Sequence, residues 1–367
     1  MVMKKIRAKK SIERIRPYVP GKGISEIAKR FGFKESEVIK LASNENPYGT
    51  SPEVIQKIRE NAQNVHLYPE PSDVSTLLSE YVGVDEECII TTPGMDGLID
   101  YTLRAYISEG DSVLITSPTF SYYEIASLAS GGNAVHVFRR GFEVDVGDVM
   151  DNMDNLDRCK LIFICSPNNP TGNTTPFKVI REIAESFDGI VFVDEAYVEF
   201  SGRDMISSAR ALPKKALSLE NVIVGRTMSK AFGLAGLRIG YGVLPPMIME
   251  DVKKVATPFS VSSIAQVAAK TALENIEYFS RIVERMKNTR ELLYKAPFKT
   301  YRSEANFVLM NVSPLTSEQV FSKLLERGVI VRDCSSFYGM GDHHIRVSVG
   351  REEETKKALD IFNELFR

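Results

Sequence analysis

The segment KLIFICSPNNPTG, residues 160–172, sets an unbroken apolar run directly against a proline- and glycine-rich turn. A short run with no polar alternation is the pattern of a strand covered on both faces. The arrangement returns in GIVFVDEAY, residues 189–197, and in NVIVGRTMSK, residues 221–230. Further runs are Cys88–Thr91, Ser112–Thr116 and Ile239–Val243, with amphipathic stretches at Gly97–Ile107, Tyr122–Ser130 and Phe177–Ser186 between them. Such alternation predicts an α/β fold, a mostly parallel sheet between layers of helix.

After Pro258 the pattern changes. Val267–Lys295 reads as one long or broken helix, with Val267, Ala268, Thr271, Ala272 and Ile276 at helical spacing. Strands are expected at Asn306–Asn311, Val329–Val331 and Ile345–Val349, and helices at Ser317–Arg327 and Glu352–Phe366, which together describe a smaller α+β domain. Pro17, Pro20, Gly21 and Gly23 mark the opening residues as an arm and short helix. The expected division is an N-terminal arm and part of the small domain (1–45), a large cofactor-binding domain (46–257) and a small C-terminal domain (258–367). A chain of 367 residues also exceeds the roughly 250–300 that one core holds.

Composition excludes several classes. The 46 Lys+Arg against 48 Asp+Glu leave a formal charge of −2, unlike the strongly basic domains that bind nucleic acid. No apolar run approaches the roughly 18 residues of a membrane span. Cys88, Cys159, Cys165 and Cys334 form no Cys-x-x-Cys pair and read as free thiols of a reducing compartment; His66, His136, His343 and His344 have no metal-ligand spacing, so no metal is expected. Met1–Arg16 is basic but lacks the apolar core of a secretory signal, which predicts a solvated arm on a cytoplasmic protein.

The polar strings follow the apolar runs, and in open α/β sheets ligands bind at the carboxyl ends of the strands. Lys230 is flanked by Ala231, Phe232, Leu234 and Ala235, an environment that depresses an amine's pKa and suits it to carbonyl chemistry. Thr227, Ser229 and Arg238 supply the donors that anchor a phosphate, and Gly94, Met95 and Asp96 open a helix whose amides can join them. Asp194, at the mouth of a buried strand, must meet a cation or strong donor or be neutral; a protonated pyridine nitrogen is one such partner. Tyr197 lies three residues on, Asn169 sits in the Pro-Asn-Asn-Pro turn, and Phe120 offers a stacking face after Ser117-Pro118-Thr119. Each has an ordinary structural explanation; together they describe a site for pyridoxal phosphate.

Three strings, SPNNPTG (166–172), VDEAYVEF (193–200) and RTMSKAFGLAGLRIG (226–240), resemble the fold-type I aminotransferases. RPYVPG (16–21), LASNENP (41–47), LYP (67–69), VRD (331–333) and IRVSVG (345–350) narrow the resemblance to the histidinol-phosphate aminotransferases, in family order from about residue 16 to 351. The resemblance implies that Lys230 links to the cofactor and shuttles the substrate proton, that Asp194 keeps the pyridine nitrogen protonated, and that Asn169 and Tyr197 hydrogen-bond the ring oxygen. Phe120 would stack on the ring. Backbone groups of Met95 and Asp96, with Thr227, Ser229 and Arg238, would hold the phosphate. Tyr68 would reach it from a neighbouring subunit, which makes the active unit a homodimer. Arg346 would bind the substrate's acid group, with Arg332, Tyr18 and Asn44 around it. One departure from the family pattern is Gly97, where an acidic residue often follows the phosphate-loop aspartate.

The implied reaction is amino transfer between glutamate and imidazole-acetol phosphate, giving histidinol phosphate and 2-oxoglutarate. A threonine-phosphate decarboxylase and an aromatic amino-acid aminotransferase would use the same lysine and aspartate, and stay open as alternatives. A binding protein without catalysis would dispense with one of those two residues.

Overall fold

The computed structural model describes residues 8–18, 21–70, 73–156 and 158–366. Its strands run β1 (Ile39–Lys40), β2 (Ile89–Thr92), β3 (Ser112–Ser117), β4 (Asn133–Phe138), β5 (Cys159–Cys165), β6 (Ile190–Asp194) and β7 (Val222–Thr227). They continue with β8 (Gly240–Val243), β9 (Lys299–Thr300), β10 (Phe307–Asn311), β11 (Val329–Ile330), β12 (Arg332–Asp333) and β13 (His344–Ser348). Seven strands form the large sheet in the order β2-β8-β7-β6-β5-β3-β4.

Alternate residues of the apolar runs enter two different cores. Leu161, Phe163, Cys165 and Phe192 pack on one face with Leu98, Tyr123 and Val252 from helices Gly94–Tyr106, Tyr122–Ser130 and Pro246–Val255. Ile162, Ile164, Val191 and Val193 face the other way, with Ile180 of helix Phe177–Glu185, Leu78 of Val74–Val82 and Ala268 of Ser263–Glu274. Cover on both faces explains the lack of polar alternation.

The structure refines several expectations. Every neighbouring pair from β4 to β7 is parallel, but β8 runs antiparallel to both β7 and β2. An apolar run carries no direction, so its sequence does not show this. The edge strand β4 was not expected: it is only half-buried and carries Asn133 and His136, so no apolar run marks it. The long helix is broken, into Ser263–Glu274 and Ile276–Leu293, at Asn275, whose side-chain amide bonds Thr271 O at 2.8 Å. The expected strand Val329–Val331 is found as β11, which pairs with β1 in parallel, and a further short strand beyond it, β12, joins β13. This second sheet has the order β12-β13-β10-β9.

Residues 1–7 of the basic arm lie outside the described residues, as do Val19 and Pro20. The remainder forms a single turn, Lys10–Arg14, against helix Tyr122–Ser130 of the same chain. Arg14 donates to Asn133 Oδ1 and Gly132 O, both at 3.1 Å. The four cysteines are unpaired. Among the described residues no helix is long and apolar enough to cross a membrane, and no group of His, Cys, Asp and Glu is placed to hold a metal ion.

Candidate active site

The carboxyl ends of β3, β5, β6 and β7, the helix after β2 and one end of the small sheet enclose a cavity of about 270 Å³. Fourteen of the fifteen expected site residues line it: Met95, Asp96, Phe120, Asn169, Asp194, Tyr197, Thr227, Ser229, Lys230 and Arg238, with Tyr18, Asn44, Arg332 and Arg346. Tyr68 does not. It is 77% exposed, with its ring 4.8 Å from that of Phe259 on the same chain's surface.

Asp194, the last residue of β6, is buried, and its carboxylate finds donors of its own. Oδ1 accepts from Ala196 N at 2.9 Å and Oδ2 from the Tyr123 hydroxyl. Burial still dominates and pushes its carboxyl up to about 6. Lys230 donates to Ser43 O at 3.3 Å and stands 5.7 Å over the Tyr197 ring. Burial, and after it the charge of Arg346, brings its amine down to about 8, where a useful neutral fraction exists near physiological pH.

Hydroxyls and amides gather elsewhere in the cavity. Thr227 Oγ1 donates to Ser229 Oγ at 2.9 Å and accepts from Ser229 N at 3.1 Å. Gly94 has φ +75°, and a Cβ there would lie 2.7 Å from Arg238 Nη2, so glycine lets the guanidinium approach the helix start. Arg238, itself at φ +52°, ion-pairs with Asp96 at 3.0 Å. The departure at Gly97 has a local cause: a Cβ there would sit 2.6 Å from Pro93 Cδ.

Strand pairing builds the opposite end. β12 and β13 place Arg332 directly across from Arg346. Both guanidiniums line the cavity, so an anion bound there would meet two positive charges. Arg346 is buried over the Phe307 ring, at 5.1 Å, and donates to Asn169 Oδ1 and, at 2.6 Å, to Ala42 O. Its Nε, also buried, has no hydrogen-bond partner among the described residues. Arg332 donates to Ser336 Oγ at 3.1 Å. Asn44, at φ +54°, is fixed by Ser348 Oγ and Asn306 and donates to Tyr197 Oη at 3.1 Å. Tyr18 meets Phe120 edge-on, centroids 6.3 Å apart.

Sequence reasoning missed Tyr123, the donor to Asp194, and the backbone carbonyls of Ala42 and Ser43. The pair Tyr122-Tyr123 opens a helix, and a helix start was the available signal. Which tyrosine turns inward depends on helix phase.

The donor set fits the cofactor named above: a carboxylate for a ring nitrogen, an aromatic face, an amine, and hydroxyls, amides and a guanidinium for a phosphate. The sequence profile of aminotransferases of class I and II matches residues 36–362. The chain belongs to this family. Among curated class I and II aminotransferases, the histidinol-phosphate aminotransferase of Methanocella arvoryzae is 45% identical over 98% of this chain and 99% of its own length. That of Methanococcoides burtonii is 43% identical over 97% and 98%. The structure of the Sinorhizobium meliloti histidinol-phosphate aminotransferase with pyridoxal-5'-phosphate superposes with a TM-score of 0.87 over all of both chains, at 23% identity, and shares the fold.

Proposed function

We propose that this protein is a pyridoxal-phosphate-dependent aminotransferase that moves the amino group of glutamate to imidazole-acetol phosphate, giving histidinol phosphate and 2-oxoglutarate in histidine biosynthesis. The two near-full-length relatives support the reaction, and the cavity supports the chemistry. The observation that carries the substrate reading is the facing pair Arg332 and Arg346. A carboxylate answers one guanidinium; a phosphate dianion answers two. One pocket thus accepts glutamate in one half-reaction and the phosphate ketone in the other.

The cofactor supplies an electron sink for the pair left behind when the bond from the amino carbon to hydrogen breaks. Asp194 would hold its ring nitrogen protonated, aided by Tyr123, and Phe120 would stack on the ring. Asn169 and Tyr197 would hydrogen-bond the ring oxygen, while Thr227, Ser229, Arg238 and the amides of Met95 and Asp96 would bind the phosphate. Lys230 would move the proton between the substrate's Cα and the cofactor, taking it from the donor's Cα in one half-reaction and supplying one to the acceptor's Cα in the other. Asn169 touches Arg346, so the anion-binding arginine and the expected ring-binding amide are set by one contact.

A cytoplasmic homodimer is part of this reading. Tyr68 is outside its own cavity; it and Phe259, whose ring it meets, are exposed, as are Val65 and Leu67 just before it in the chain, an apolar set that suits a second copy. The domain division at residues 45 and 257 is likewise proposed.

The test follows the absorbance of the bound cofactor in purified protein. Glutamate is expected to convert it to the amino form, and imidazole-acetol phosphate, not phenylpyruvate, to reverse the change. No response to glutamate, with carbon dioxide released from threonine phosphate, would replace this reading by the decarboxylase.

A further inference from the structure

Two charged residues in the site strings take no part in the chemistry above. Glu195 follows Asp194, and Arg226 precedes Thr227; neither lines the cavity. The register of β6 and β7 ends at Asp194 opposite Gly225, and Glu195 N extends it by one bond to Gly225 O at 2.8 Å. There the side chains take over. Arg226 Nε and Nη2 both donate to Glu195 Oε2, at 3.0 and 2.5 Å, and the guanidinium is wholly buried. Glu199, from the same string, is 1% exposed, and neither of its oxygens has a hydrogen-bond partner among the described residues. Burial, opposed by the charge of Arg226, pushes its carboxyl up to about 7.

Stability does not explain such a pair, because well-packed apolar side chains usually serve a buried site as well or better. Position does. Glu195 is covalently next to Asp194 and two residues from Tyr197; Arg226 is next to Thr227 and four from Lys230. We propose that Glu195 and Arg226 are positioning residues, a buried clamp that fixes the Asp194–Tyr197 loop against the Thr227–Lys230 loop so that the ring-nitrogen and phosphate ends of the cofactor are gripped at one spacing. The cofactor half of this inference rests on the proposed function; the loop-fixing half does not.

The test compares Arg226→Lys with a core control, Val283→Ala, in helix Ile276–Leu293. Lysine keeps the charge and loses the two-pronged grip. Backbone hydrogen exchange is measured on the protein without cofactor, and pyridoxal phosphate affinity by titration. The clamp predicts exchange about tenfold faster in segments 194–200 and 226–232 for Arg226→Lys, with affinity about tenfold weaker. Val283→Ala is expected to lower the melting temperature and do neither. If Arg226→Lys merely lowers the melting temperature, with both segments and the affinity behaving as in the control, the pair is only structural and the inference falls. Should that variant fail to fold, Glu195→Gln, which keeps an acceptor, is expected to show the same two segments at smaller amplitude; unchanged exchange there overturns the clamp. A wild-type protein without affinity for pyridoxal phosphate would refute the proposed function, while the exchange comparison would still decide the clamp.

Discussion

The two ends of the cavity are built in different ways. Asp194, Thr227, Ser229 and Lys230 come from the ends of adjacent strands in one sheet, and Asp194 has its donors within the protein before any ligand arrives. Arg332 and Arg346 come from a second sheet, and their pairing sets two like charges face to face. At the first end the carboxylate has its donors in place; at the second, two guanidiniums share one end of the cavity. On the proposed function, the contrast divides the work: the large sheet would orient the cofactor and the small one would select the substrate's acid group.

The largest expected effect breaks the first end. Lys230→Ala removes the group proposed to move the substrate proton, and the glutamate half-reaction, followed by stopped-flow absorbance, is expected to slow by about 10³-fold or more. A residual rate near wild type would show that another base acts. The second prediction sharpens the contrast. Arg332→Ala is expected to cost kcat/KM for histidinol phosphate roughly ten- to thirtyfold and for glutamate only a few fold, since charge-assisted bonds to phosphate are lost in one case only. Equal losses on both substrates would sink the division of labour between the two arginines.

Tyr123→Phe acts more mildly. The Tyr123 hydroxyl lowers the pKa of Asp194, against burial. Without it, Asp194 ionises at higher pH, so the acid limb of pyridoxal phosphate affinity moves upward. Loss of a hydrogen bond to a charged group implies affinity weaker by roughly ten- to a hundredfold near pH 6, and by less at pH 8. The smallest effect concerns stability without cofactor. The pKa of Asp194 is raised on folding, from 3.8 to about 6, so the folded state holds a proton that the unfolded chain has released. Its contribution to stability is present below the unfolded pKa and is lost as pH rises through about 6. Asp194→Asn is therefore expected to raise the melting temperature of the cofactor-free protein by a few degrees at pH 8 and by little at pH 4, read by calorimetry.

The same contrast governs what the sequence discloses. Runs such as Lys160–Cys165 announce the large sheet because both faces are covered, and the polar strings behind them mark the cofactor end. The direction of β8 and the existence of β4 are hidden: the first is a matter of chain routing, and the second is an edge strand with one buried position in six. Arg332 and Arg346 are named by resemblance, but their confrontation depends on the antiparallel register across the loop between them. Tyr123 is hidden by helix phase. Gly97 has a physical reason only in three dimensions, where Pro93 leaves no room for a side chain.

The most direct test of the central claim mixes the enzyme with ¹⁵N-labelled glutamate and equal amounts of imidazole-acetol phosphate and phenylpyruvate, and identifies the labelled product by NMR. The account predicts histidinol phosphate carrying the label, formed in step with 2-oxoglutarate. Glutamate left unchanged, or label passing to phenylpyruvate in preference to the phosphate ketone, would contradict it.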